Sequence, residues 1–380
     1  MKPRVVYRTN IPSPYMVERF NQIVARGNLD LEAWFDEERQ PDRSWDVRED
    51  SWRFPYRYLG PGRAALFLNP VREIRRARPD VYVSLYENLS FVAGIAAARL
   101  SDAKVAIHVM KIFDTWRPPS HSKALAKRLL FPRVDAIHVP GPDAAAYARQ
   151  YGARDSQFVM FAEPVNVEHF RFGAARARAM AGERERLGLS GCVFLHVGRL
   201  WTLKGLDYLF DAYEGLRLAG VDASLLLVGD GVDEARYRAR ATGLPNVVFS
   251  GFVQQPELPR WLGMADALVF PTLGDPYGYV VEEAMAASLP VIASESAGEI
   301  RERVIDGVTG YIVPSADSTA LQGRMATLAV DANLRASMGQ QGFERIQPCT
   351  IDWWAGEFER MVDQMLSMPG KRTTDVRGEE

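Results

Sequence analysis

The chain has 380 residues, 47% of them hydrophobic and 25% charged, with a net charge of −2 at pH 7. That length suits two domains of ordinary size, and the balance is that of a soluble globular protein. The near-neutral charge excludes the global basic field of a nucleic-acid binder, two cysteines (Cys192 and Cys349) exclude a disulfide framework, and the longest apolar-rich run, Leu89 to Ala98, is too short to cross a bilayer. With no apolar signal core in the first residues, the chain reads as cytoplasmic.

Arg4 to Tyr7 is a strand candidate, Thr9 to Tyr15 a loop, and Met16 to Ala25 a helix. Strand, loop and helix in that order open a doubly wound domain, where ligands meet the C-terminal ends of the strands. Pro12 and Pro14 have no N–H for a phosphate, which leaves Asn10, Tyr15 and Arg19 to line a cleft. Residues 37–62 read as a variable excursion. Ala65 to Ala77 is a basic helix interrupted at Pro70. Asp80 to Leu85 is a strand, with Glu87 and Asn88 at its C-terminal end as further candidates to line the cleft, and Leu89 to Leu100 is a buried apolar helix. Lys104 to Val109 is a strand with His108 near its end, while His138 and His196, also in strands, read as structural. His121 to Phe131 is an amphipathic helix carrying Lys123, Lys127 and Arg128. Such basic faces are first of all solvated, and they also fit peripheral contact with an anionic membrane.

In the second half, Val193 to Val197 is a strand and Leu206 to Tyr213 opens a helix. Gly198, Arg199, Lys204 and Gly205 lie between them. Two cations and two glycines before a helix N-terminus suit a diphosphate: Arg supplies a planar fork, Lys a mobile point charge, and the helix dipole a favourable field. Strands follow at Ser224 to Val228, Asn246 to Phe249 and Ala267 to Phe270. Pro271, Gly274, Pro276 and Gly278 then make a loop, Tyr279 to Ala287 a helix, and Pro290 stops it before Val291 and Ile292. Asp275 and Glu283 stand eight residues apart. That spacing spans about 12 Å along a helix, so the two carboxylates suit two parts of one extended ligand better than one small ion. Taken alone, the stretch fits an exposed loop and amphipathic helix equally well.

Residues 271–292 resemble the donor-binding signature of the retaining glycosyltransferases of family 4 (group 1 glycosyl transferases), in which an acidic residue, seven residues and a Glu precede Ala-Met-Ala. Glu283, Ala284, Met285, Ala286, Pro290 and Val291 fit, while Asp275 stands where Glu is commonest and Ser288 where Gly is usual. The resemblance extends over about 193–345 and is weak before 165. It implies the GT-B fold, an α/β architecture of two doubly wound Rossmann-like domains facing each other across a cleft. Residues 1–170 would form the acceptor-side domain, 171–350 the nucleotide-sugar domain and 351–368 a helix returning to the first domain. Val167 to Phe170 would mark the crossing, and 369–380, polar and charged, would be a disordered tail.

The same resemblance implies a nucleotide-diphosphate sugar as donor, no cofactor and no metal. Glu283 would bind the ribose, Asp275 the sugar hydroxyls, and Arg199 and Lys204 the departing diphosphate. His108 would face the donor sugar, and Phe252 and Val253 would lie near the base. Gly198, Gly205, Gly278, Tyr279 and Val280 complete the donor-binding set. The acceptor is not named by the sequence; surface polysaccharide, a lipid-linked sugar and a small natural product stay open. So do two other activities, a sugar-nucleotide epimerase on the same fold and a catalytically inactive sugar-nucleotide-binding protein.

Overall fold

The computed structural model describes residues 1–39, 45–60, 62–85, 90–110, 121–180 and 182–369. Glu87 and Asn88, part of the 37–62 excursion and the 370–380 tail lie outside the described residues.

Two parallel sheets organise the chain. The first has the order β3 (Tyr56–Tyr58), β2 (Asp30–Phe35), β1 (Arg4–Thr9), β4 (Val81–Leu85), β5 (Lys104–His108), β6 (Ala136–Val139), β7 (Phe158–Met160). The second has the order β10 (Val247–Gly251), β9 (Ala223–Val228), β8 (Cys192–Val197), β11 (Ala267–Phe270), β12 (Val291–Ser294), β13 (Gly310–Val313). Their central strands are near-continuous apolar runs because both faces are covered: Val5, Val6, Phe194, Leu195, Leu225, Leu226 and Leu227 are fully buried. The strand order reverses between β1 and β4 and again between β8 and β11, and crevices open at such switch points. The loops after β1, β8 and β11 lead into the space between the sheets.

The prolines of the first loop build a helix start. Ser13 caps the helix Pro14–Arg26 by accepting from the Met16 N–H at 3.4 Å, Pro14 takes a first-turn position, and Gly27 ends it in the left-handed conformation. Pro70, expected to interrupt its helix, lies inside a helix that runs Arg63–Ala77. A proline there frees the carbonyl one turn back, and a guanidinium nitrogen of Arg8 donates to that Leu66 carbonyl at 3.3 Å. The helix continues because a residue distant in sequence fills the gap. A second correction concerns Lys127, which is not on the basic outer face of the helix His121–Leu130. It is 5% exposed and donates to the Tyr147 hydroxyl.

The last helix, Ile351–Ser367, lies on the first sheet. Trp354, Phe358, Met361 and Met365 join Val5, Tyr7, Phe20 and Ile23 in one core. Arg26 holds its outer side, pairing with Asp352 at 2.7 Å and Glu359 at 3.1 Å. Among the described residues no helix is long and apolar enough to cross a membrane.

Candidate active site

The loops after β8 and β11 are laced together. The Leu273 N–H donates to the Leu203 carbonyl at 3.0 Å and the Thr272 hydroxyl to the same oxygen at 3.2 Å. Such proximity needs Gly205, whose φ is +71° and whose added Cβ would stand 1.8 Å from the Pro271 carbonyl oxygen. Gly278, at φ +79°, is likewise pressed on the Phe270 ring, 2.5 Å from where a Cβ would be.

This lacing brings Lys204 to Asp275 in a half-buried ion pair. Asp275 also accepts from the Tyr277 N–H at 3.1 Å, and its carbonyl accepts from the Gly298 N–H at 2.9 Å. Burial would raise the Asp275 carboxyl, but the Lys204 ammonium, hydrogen-bonded to it, holds it below the usual carboxylate range. The Arg199 guanidinium lies 5.0 Å from the centre of the Trp201 ring. Gly198 and Val253 are half-buried, and Phe252 is exposed.

The two adjacent glutamates of the helix Val280–Ala286 have opposite surroundings. Glu282 forms a forked pair with Arg303 at 2.8 and 3.0 Å. Arg303 also donates to the Gly278 carbonyl at 3.2 Å and the Gly298 carbonyl at 2.8 Å, so it braces the whole loop. Glu283 is 1% exposed and accepts from the Tyr15 hydroxyl, which comes from the first half of the chain, at 2.7 Å. Burial pushes the Glu283 carboxyl up to about 8, with Tyr15 opposing and the charges of Glu282 and Glu18 adding. Val280 packs in the core of the second half.

Beneath this contact lies a buried hub centred on Glu163. Arg19 pairs with Glu163. His108 Nε2 meets Glu163 Oε1 at 2.8 Å, and the Tyr279 hydroxyl donates to Oε2 at 3.0 Å while accepting from Arg19 at 2.9 Å. The other ring nitrogen of His108 meets the Tyr7 hydroxyl at 2.8 Å, so both its polar atoms are engaged, and its ring stacks on His138 at 4.2 Å. Burial would raise the Glu163 carboxyl, but Arg19 and His108 hold it well below the carboxylate range. Burial also lowers His138 to about 3. Metal-ligating atoms of His108, His138 and Glu163 lie within 4.8 Å of one another, yet Arg19 already neutralises the carboxylate, and a divalent cation beside that guanidinium would be repelled. The hub is a hydrogen-bond network.

Asn10 accepts from its neighbour Thr9 at 3.2 Å, and its carbonyl takes the Glu37 N–H at 3.0 Å. From the loop Ala297–Ile300, Glu299 reaches the first half of the chain. Glu299 accepts from the Ala144 and Asp143 N–H groups at 2.8 and 3.1 Å, and the Glu299 N–H donates back to Asp143 at 3.0 Å. Gly141 makes room for it, since a Cβ there would lie 2.3 Å from the Glu299 carboxylate.

The sequence pointed to Gly198, Arg199, Lys204, Gly205, Asp275, Gly278, Tyr279 and Glu283; of these the structure pairs Lys204 with Asp275, and it sets Gly205 and Gly278 against the β11 end at Pro271 and Phe270. It sets Tyr15 against Glu283 and sinks His108 into the hub. Glu163, Arg303, Tyr277 and the Asp143–Glu299 clasp were missed. A charged residue in the short apolar segment Phe161-Ala162-Glu163-Pro164-Val165 was the available signal for Glu163.

Comparison with known proteins adds family to geometry. Residues 191–331 match the family model described as Glycosyl transferases group 1, and residues 22–162 match the Glycosyl transferase 4-like domain. The chain is 26% identical over 317 residues to the sulfoquinovosyl transferase of Arabidopsis thaliana, covering 80% of this chain and 60% of that protein. It is 35% identical over 152 residues to the phosphatidyl-myo-inositol mannosyltransferase of Mycobacterium leprae, covering 40% of each. The matched stretches thus span about half the length of these relatives. Among solved structures, Anabaena HepE in complex with UDP superposes with a TM-score of 0.78 at 18% identity, over 96% of this chain and all of that one. Sucrose-phosphate synthase of Thermosynechococcus elongatus superposes with a TM-score of 0.74 at 20% identity, over 96% of this chain and 100% of that chain.

Proposed function

Because this chain belongs to the group 1 glycosyltransferases and has the GT-B fold, we propose that it is a retaining hexosyltransferase-like enzyme that moves a sugar from a nucleotide-diphosphate sugar to an acceptor. The observation that carries the reading is the meeting of Lys204 and Asp275 at the β8–β11 switch point, with Glu283 beyond them at the base of the same loop and helix. A cation beside a carboxylate, with a second carboxylate further along, supplies one group for the diphosphate and one for each of the hydroxyl-bearing parts it joins, the sugar and the ribose.

In this reading Glu283 accepts hydrogen bonds from the ribose and Asp275 from the sugar hydroxyls. Arg199 and Lys204 stabilise the diphosphate as the glycosidic bond breaks and charge gathers on its oxygen, where fixed cations lower the barrier most. The departing phosphate oxygen takes the acceptor's proton, and the new bond forms on the face the diphosphate leaves. Two cations serve the diphosphate, so the reaction is metal-independent and needs no cofactor. Lys204 pairs with Asp275 until the donor separates them, sugar to one and phosphate to the other. The hub residues, His108 among them, hold Tyr279 and the loop beside it.

HepE is described in complex with UDP and with UDP and glucose, which supports a nucleotide-sugar donor here. One named relative is a phosphatidyl-myo-inositol mannosyltransferase, which supports an acceptor in glycolipid or polysaccharide synthesis and a place at the inner face of a membrane. Exposed Leu125 and Leu129 beside Lys123 and Arg128, and exposed Leu68 and Phe67 on the basic helix Arg63–Ala77, suit peripheral contact with anionic lipid. The test is calorimetry with a panel of nucleoside diphosphates, followed by proton NMR of the product formed from the sugar that binds. Retention shows in the anomeric coupling constant. Absence of any nucleotide binding refutes the reading, and full inactivation by EDTA refutes metal independence.

A further inference from the structure

Glu283 is a buried carboxylate with no ion-pair partner among the described residues, whereas its neighbour Glu282 has Arg303, and Asp275 has Lys204. Its partner is instead a hydroxyl, that of Tyr15 at 2.7 Å. Tyr15 is half-buried in the first turn of the helix Pro14–Arg26, at the C-terminal end of β1, and its ring stacks on Tyr279 with centroids 4.4 Å apart and planes 11° from parallel. Glu283 itself is 1% exposed. An alcohol that donates to the same oxygen, Oε1, along that line takes the place of the phenol that already does so.

We propose that Tyr15 competes with the ribose of the nucleotide for Glu283, its hydroxyl taking the place of a ribose hydroxyl until the nucleotide displaces it. The inference rests on the reading that Glu283 receives the ribose. The geometry supports a competitor over a co-binder for two reasons. Hydroxyl and carboxylate are already at full hydrogen-bonding distance, so the ribose finds no unclaimed approach along that line. The two residues also belong to opposite halves of the chain, so withdrawing Tyr15 removes a tie across the crevice and widens the entrance for the nucleotide. The stacked Tyr279 ring guides the return of Tyr15 after the nucleotide leaves.

Tyr15→Phe isolates the hydroxyl, because phenylalanine keeps the ring stack and the core contacts. Affinities of UDP, GDP and ADP, and of their 2′,3′-dideoxy counterparts, are measured by calorimetry on the wild type and on Tyr15→Phe. A neutral hydrogen bond given up on binding predicts that the variant holds the preferred ribonucleotide roughly three- to ten-fold tighter. The dideoxy counterpart, which asks nothing of Glu283, should bind both proteins within about two-fold. An unchanged or weakened ribonucleotide affinity in the variant overturns the competition while leaving the donor reading intact. An equal gain for both nucleotides also overturns it, since general opening and not hydroxyl exchange would be the cause. If neither protein binds any of these nucleotides, the donor reading itself fails.

Discussion

Gly205 lies so close under Pro271 that a single methyl group would collide with the Pro271 carbonyl oxygen, 1.8 Å away. The two residues lock the turn that carries Lys204 to the loop that carries Asp275. Gly205→Ala should destabilise the protein by at least about 1–2 kcal/mol from the left-handed backbone alone, with more from the clash. Urea unfolding measures it. Gly220→Ala is the control: it shares the positive φ, at +76°, but faces open space. Equal losses in the two variants would show that the Pro271 contact contributes nothing.

The Lys204–Asp275 pair makes different demands on each partner. Lys204→Ala should reduce turnover by roughly 10²–10³-fold, the usual cost of one preorganised charge stabiliser, and should weaken the free nucleoside diphosphate as well. Asp275→Asn should reduce turnover while leaving the diphosphate's affinity close to the wild type, because in the proposed reading the donor meets that carboxylate only through its sugar. Initial rates with the sugar donor and calorimetry with the diphosphate separate the two. Loss of diphosphate affinity in Asp275→Asn alone would reverse the assignment.

Arg19 and Glu163 form a fully buried ion pair joined to His108 and Tyr279. Breaking one side strands the other charge, so Glu163→Leu should cost about 3–5 kcal/mol. Removing both, as Arg19→Met with Glu163→Leu, should cost clearly less than the sum of the single changes. Denaturation of the three variants completes the cycle. Additive losses would show that the two side chains are not coupled.

Stability should depend on pH through Glu283. Its carboxyl, raised to about 8 from the ordinary 4.5, binds a proton more readily in the folded chain than in the unfolded one. The stabilisation is complete below about 4.5, fades as pH rises through the window, and is lost above about 8. Glu283→Gln, neutral throughout, should melt close to the wild type at pH 5 and above it at pH 9. Buried His138 and His196, lowered to about 3 and about 4, act in the opposite direction between those values and 6.5. They are common to both proteins and drop out of the difference. Parallel melting curves across the range would refute the shift.

The sequence showed most of this architecture because parallel strands covered on both faces read as plain apolar runs, and glycine and proline punctuate the loops between them. It also pointed to Arg199, Lys204 and Asp275, which lie in loops between a strand and a helix, and to Glu283 through the family signature. What it hid depends on contacts between distant segments. Pro70 looked like an interruption until Arg8 supplied a donor for the Leu66 carbonyl. Lys127 looked like surface until Tyr147 and Tyr151 covered it, with ring centroids 5.0 and 4.5 Å from its ammonium. Glu282 and Glu283 are indistinguishable by type, and only Arg303 on one and Tyr15 on the other separate them. Glu163 draws its partners from four separate segments, so no local pattern could reveal it.

The return of the last helix, Ile351–Ser367, to the first sheet has a practical consequence for recombining this chain with its relatives. The polypeptide passes between the halves twice, near Asn166 and again near Thr350. Hybrids joined at one junction, with a foreign first half, would pack this chain's Trp354, Phe358 and Met361 on foreign residues in place of Phe20 and Ile23, and set Asp352 and Glu359 opposite a foreign residue in place of Arg26. Exchange of the first half takes two junctions, with the terminal helix moving alongside the sheet it covers.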